Sequence, residues 1–343
     1  MPSTGGRIAP GTARRATVLA VLVALAVAAA LASLAVGARS SAGLDDVVRA
    51  VVRYDPAVDD QLVVRDLRGP RTVLALLVGG ALGLAGGVMQ GLTRNPLADP
   101  GLLGVNAGAA LAVVLGFSVF GVVTPGGYLW FALGGAAVAG GVVFTLGTLG
   151  RGGASPAKLA IAGAAVSALL GSATASLLLI DAATLDLYRF WVVGSVATRD
   201  LTSAAAVAPV IAVGAVLALA SARSLNGLAL GDDVARSLGQ HVGRARATAA
   251  AAVILLCGGA TAAAGPIWFI GLTVPHVARA VAGPDHRWLL PFSALLGAGL
   301  LAAADVVGRV IGRPGELEVG VVAAFLGGPI FIAFVRRRRI AEL

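Results

Sequence analysis

The chain has 343 residues, of which 58% are hydrophobic and only 13% charged, with a mean hydropathy of +0.91; soluble domains are roughly 45–50% apolar and 25% charged. That balance excludes a water-soluble enzyme, and the formal net charge of +9 lies in short loops between apolar runs, where it orients membrane spans rather than marking a nucleic-acid face. One cysteine, Cys257, precludes an internal disulfide, and three histidines without ligand spacing offer no metal centre.

Taken in order, residues 1–16 form a basic tail, and Thr17 to Gly37 is an apolar run too long for a signal-peptide core, so it is a first transmembrane helix. A polar segment of mixed charge follows, from Ala38 to Gly69, interrupted at Asp55-Pro56. Further runs cover Arg71 to Gly91, Leu102 to Val122, Tyr128 to Leu149, Lys158 to Ile180, Leu201 to Ser221, Ala247 to Gly265, Phe269 to Ala282, Trp288 to Val307 and Glu318 to Val335. With the first, these predict an all-α polytopic membrane protein of ten transmembrane helices within residues 17–335, ahead of a basic tail at 336–343. Nine runs approach the ~20 residues that span a hydrocarbon core; the eighth, interrupted by Pro275, is short and belongs inside the bundle.

Ten spans put both termini on one side. With that side in the cytoplasm, sixteen of the 26 basic residues but only five of the 17 acids face inward, as the positive-inside rule requires. The cytoplasmic loop 223–246 is the longest charged interruption in the C-terminal half. Within it Gly231 precedes Asp232 and Asp233, which suit a helix N-terminus, Val234 and Leu238 share a face, and Gly239 is a stop. Val242 carries the apolar spacing into a second turn. Such a pair of short helices fits either a knob for a partner's groove or an amphipathic element lying on lipid.

The pattern Leu228, Leu230-Gly231, Ala235, Leu238-Gly239 and Val242 resembles the coupling loop of the FecCD-type permeases, which are ABC importer subunits for iron-siderophores, haem and cobalamin. Gly86 to Gly108, Gly265 to Gly297, and the ending Ala304-Asp305, Arg309, Glu316, Gly320 and Leu326 to Pro329 agree with the same family. Within it, RNPLADPGLLGVNAGA (94–109) and GRVIGRPGELEV (308–319) are most like permeases for ferric enterobactin-type siderophores, which pair with a second, homologous permease. The resemblance implies coupling helices between helices 6 and 7, two cytosolic ATPases using ATP and Mg, and a periplasmic or lipid-anchored binding protein. It also implies that Leu228, Gly231, Ala235, Leu238, Gly239 and Val242 meet the ATPase, and that Arg68, Arg71 and Arg309 pair with acids of the binding protein. The family's Arg-Leu-Pro-Arg stands here as Arg68-Gly69-Pro70-Arg71, a looser turn. Ser155-Pro156 is a candidate inner gate by family position.

No stretch matches a phosphate-cradling P-loop, and Lys158 is the only lysine. The chain itself is therefore expected to bind no nucleotide and to catalyse nothing. Gln90 and Asn95-Pro96 form a corner at the inner end of the second span, His276 on the eighth could line a path, and Asp305 is either solvated or paired with Arg309 one turn on. The leading function is a ferric-siderophore importer permease, with haem or cobalamin as alternative cargo. An ion-coupled secondary transporter would need ionisable groups near midplane, and the span centres hold almost none.

Overall fold

The computed structural model describes residues 11–38, 42–149, 156–197 and 201–336. Their regular structure is helical: α1 (Thr12–Ala35), α2 (Leu44–Val52), α3 (Asp59–Leu62), a π-helical turn (Val63–Arg68), α4 (Gly69–Thr93), a 3-10 turn (Pro100–Leu103), α5 (Val105–Ser118), α6 (Pro125–Thr148), α7 (Pro156–Ile180) and α8 (Ala182–Val192). Then come α9 (Leu201–Ala220), α10 (Ala222–Ala229), α11 (Asp232–Ser237), α12 (Val242–Ala264), α13 (Ile270–Ala282), α14 (His286–Ile311) and α15 (Val319–Arg336). Among the described residues seven helices are long and apolar enough to cross a membrane, and three shorter apolar ones accompany them: Val105–Ser118, Ile270–Ala282 and Val319–Ala333.

Lipid is as apolar as leucine, so helices in it are held by close packing rather than by water exclusion, and small residues let backbones approach. Helices α4 and α14 follow that rule. A Cβ built on Gly79 would overlap the Gly297 carbonyl oxygen, the converse holds for Gly297, and one on Gly83 would overlap the Ser293 carbonyl. Farther down, Gly86 meets the backbone of Gly271 at the start of α13. Helix α12 packs against α4 and α9, its inner face being Ala249, Ala252, Val253, Leu256 and Ala260, all buried. Helix α1 lies against α14 and leaves Val21, Leu25 and Val27 exposed. Gly86→Ala is expected to force a shift costing about 1–3 kcal/mol, read as a lower melting temperature. Gly141→Ala, where an added Cβ meets nothing within 4 Å, should leave it unchanged.

Three features differ from the sequence-based expectation. The third run is not a full-length helix: Asp99 caps the 3-10 turn by accepting from Gly101 N–H at 2.8 Å, and α5 begins only at Val105 and has 14 residues. The chain turns there because Asn95 closes an Asx turn on Leu97 N–H at 2.9 Å and Pro100 has no N–H to continue a helix. The polar segment after α1 is folded, with α3 and the π-helical turn running directly into α4. Between the fifth and sixth runs stands α8, capped by Asp181, which accepts from Ala183 N–H at 3.0 Å and Thr184 N–H at 3.2 Å.

Candidate functional site

Polar chemistry gathers at the two ends of the bundle. At the end where α1 finishes and α4 starts, Asp305 on α14 is wholly buried and accepts from Arg71 Nε at 3.0 Å and Nη2 at 2.6 Å, and from Arg309 one turn along its own helix. Arg71 Nη1 also donates to Glu316 at 2.6 Å. Arg309 Nη1 donates to Ser33 O at 2.6 Å and Val36 O at 2.9 Å, while Arg68 Nη1 donates to Leu34 O at 3.0 Å and Ala35 O at 2.7 Å. The last carbonyls of a helix have no partner within it and carry partial negative charge. Two arginines thus cap α1 from outside, and Ser33 and Thr72 hydroxyls tie α1 to α4 at 2.7 Å.

The resemblance implied that Arg68, Arg71 and Arg309 pair with acids of a binding protein; within this chain they already hold partners of their own. All three are buried, Arg309 to 1% exposure, and they donate to Asp305, Glu316 and the carbonyls at the end of α1. Buried cations persist only when paired and hydrogen-bonded, and the intrachain acids meet that need. Asp305 resolves to the paired alternative. A cavity of about 600 Å³ borders the cluster, lined by Arg68, Arg71, Arg309 and Glu316 together with Val63 and Pro314.

The opposite end carries the 223–246 loop, folded as α10 and α11. Asp232 points inward and bridges Arg94, just past α4, and Arg246 Nη2 on α12 at 2.9 Å. Asn226 Nδ2 on α10 donates to Asp285 at 2.7 Å, and its Oδ1 accepts from His286 N–H at 2.9 Å at the start of α14. Gln240 Nε2 closes the loop on Ser224 O at 2.8 Å. Burial works to raise the Asp285 carboxyl, but the hydrogen bonds from Asn226 and Arg287 N–H outweigh it and hold it below the usual carboxylate range. The ends of α4 and α12 thus hold α11, and the start of α14 holds α10.

The loop's apolar residues divide into two sets. Leu228, Ala235 and Val242, which the resemblance implied meet the ATPase, are buried in this chain and plug the loop into the bundle. Leu238, at 69% exposure, and Leu230 and Val234 project outward instead. Gly231 (φ +102°) and Gly239 (φ +80°) bracket α11 in left-handed backbone where a side chain would strain, and a Cβ on either would meet nothing. Of the two acids at the start of α11, Asp232 is turned inward and Asp233, paired with Arg236 at 2.8 Å, is the exposed one.

The remaining candidates scatter. Gln90 is buried and donates to Leu272 O at 3.0 Å, pinning α13 to α4. His276 is half-buried on α13, one turn before Arg279. Pro156 is the first residue of α7, and Ser155 lies outside the described residues. Sequence reasoning missed Arg94, Arg246, Asn226 and Asp285 as holders of the loop, because their partners lie 14 to 138 positions away. The i, i+4 spacing of Asp305 and Arg309 was the one local signal.

The geometry is that of a multi-pass membrane bundle with an apolar knob at one end and a buried ion network at the other. The chain belongs to the FecCD transport family, whose description matches residues 22–337. It is 47% identical to the ferric enterobactin transport system permease protein FepD of Escherichia coli over 95% of this chain and 96% of that one. It is 41% identical to the hemin transport system permease protein HmuU of Yersinia pestis, over 80% of this chain and 83% of that one. Among solved structures, a metal-chelate type ABC transporter in an inward-facing conformation aligns with a TM-score of 0.79 at 28% identity, over 94% of this chain and 99% of that chain. The chain is accordingly a permease of a metal-chelate ABC importer.

Proposed function

We propose that this permease carries a ferric siderophore of the enterobactin-like catecholate type across the bacterial inner membrane. The observation that supports this most is the 47% identity to the ferric enterobactin permease, which runs almost end to end. In this reading ten helices cross the membrane, both termini and the α10–α11 knob face the cytoplasm, and the Asp305 end faces outward. The inward majority of arginines supports that orientation.

A homologous permease completes a heterodimer, two copies of an ABC ATPase receive the knob, and a siderophore-binding protein docks on the outer face. The permease holds no cofactor; ATP and Mg belong to the ATPase. Leu230, Val234 and Leu238 make the ATPase contact, with Gly231 and Gly239 giving α11 its angle. Arg68, Arg71 and Arg309 hold the outer rim in shape.

Reconstitution in proteoliposomes with these partners tests the reading. Uptake of a ferric catecholate should require ATP, the ATPase and the binding protein. Uptake of haem or cobalamin in preference would reassign the cargo, and uptake by this chain alone under an ion gradient would overturn the importer mechanism.

A further inference from the structure

At the Asp305 end the buried arginines are held by acids and carbonyls, and at the loop end Arg94 and Arg246 share Asp232. Arg279, one turn before the end of α13, differs: its Nε, Nη1 and Nη2 are all buried, and none has a hydrogen-bond partner among the described residues. The acids around the loop are engaged elsewhere, Asp232 with Arg94 and Arg246, Asp233 with Arg236, and Asp285 with Asn226 and the Arg287 N–H. A buried cation is costly without a counter-ion, so Arg279 calls for an anion from outside this set.

Its surroundings say which kind. Leu19 and Leu22 of α1 pack with Ala278 and Ala282 of α13 and with Phe292 of α14, forming a three-helix corner at the loop end of the bundle. Helix α1 is otherwise almost bare, 6% of its span being buried, so the corner lies at the edge of the molecule. Arg279 falls between the face of α13 that enters this corner and the more open face carrying His276 and Ala280. The residue is partly exposed although its nitrogens are not, so its exposure belongs to stem and backbone. Rotation about the side-chain bonds brings the head out, in the manner of an arginine snorkelling to an interface. On α1, Arg15 holds its guanidinium 5.7 Å from the centre of the Trp288 ring, a cation–π contact, and its Nε is also buried and unpartnered. Arg14 and Arg287, both exposed, add further positive charge.

Arginines and a tryptophan at helix ends mark the headgroup level of a bilayer. Basic pockets between membrane helices take anionic headgroups, and the guanidinium fork matches phosphate oxygens. We propose that the corner of α1, α13 and α14 binds the phosphate of an anionic phospholipid, with Arg279 as its main ligand and Arg15 as a second cation. Assignment of that lipid to the inner leaflet rests on the orientation proposed above; the binding itself does not.

The test titrates the full-length permease, purified with its partner subunits in a maltoside detergent, with phosphatidylglycerol, with phosphatidylcholine of the same chains and with inorganic phosphate. Phosphatidylglycerol should raise the melting temperature of the wild type, as any ligand of the folded state does, and the other two should not. Arg279→Met should melt no lower than wild type before lipid is added, because a cation without a counter-ion has gone. It should then need roughly fivefold more phosphatidylglycerol for the same shift, the factor one arginine contributes at an anionic surface. Arg279→Lys keeps the charge and should keep the shift. Arg287→Gln removes an equal charge from an exposed position at the same end and should respond as wild type. Early melting of Arg279→Met, or a lipid response equal to wild type, overturns the site and leaves Arg279 a structural residue. An equal shift with phosphatidylcholine or inorganic phosphate overturns the anionic lipid as its source. Loss of the ATPase from purified Arg279→Met, with the lipid response intact, overturns it in favour of an acid on that partner.

Discussion

Replacing Asp305 with alanine is expected to destabilise the folded protein by about 3–5 kcal/mol, the cost of stranding buried charge whose partner is removed. The residue is completely buried and serves Arg71 and Arg309 at once. Without it, Arg71 keeps only Glu316, whose side chain is 35% exposed, and Arg309 loses the carboxylate it is paired with. Asp305→Asn keeps one acceptor and should lie between alanine and wild type. Combining Asp305→Ala with Arg309→Met should recover part of the loss, since Arg71 then retains Glu316 and one fewer cation is stranded. Thermal unfolding in nanodiscs reads all three; an Asp305→Ala protein melting with wild type would show that the network contributes nothing.

Leu238→Asp is expected to leave the permease inserted and folded while reducing ATP-coupled uptake by about 30-fold, the equivalent of losing one ~2 kcal/mol interface anchor. The side chain is 69% exposed and touches little of its own chain, so a carboxylate there costs the fold almost nothing. In a partner's groove the same carboxylate would be desolvated without a counter-ion. Leu228→Asp, ten positions earlier and 1% exposed, should behave oppositely, lowering the melting temperature before any transport is measured. Co-purification of the ATPase with each variant separates the two effects. A well-expressed Leu238→Asp permease with normal uptake would remove the loop from the coupling mechanism.

The long helices were legible because each is a run of apolar residues near membrane length, and the loop 223–246 because charge interrupts such a run. Glycines at 231 and 239 announced the ends of α11 for a local reason, their backbone conformation. What a linear reading could not supply was direction in the third dimension. Leu228 and Leu238 look equivalent in a motif, yet one faces the bundle and the other faces away. Arginines next to helix ends look solvated, yet Arg68 and Arg309 reach across to the carbonyls of α1, more than 30 and 270 positions distant. The truncated α5 was hidden because Leu102 to Val122 is apolar apart from Asn106 and Ser118, and its late start depends on the turn upstream.

The glycine contact between α4 and α14 has a mechanical consequence. These two helices bear both polar ends: Arg71 and, just beyond its last turn, Arg94 belong to α4, while Asp305 and Arg309, and at the other extremity His286 with its cap Asp285, belong to α14. Backbone meeting backbone leaves no flexible side chains to absorb displacement, so the pair behaves as a single stiff plate about 37 Å long. The α10–α11 loop is tied to one end of that plate through Asp232 and Asn226, and the Arg71–Asp305 joint lies at the other.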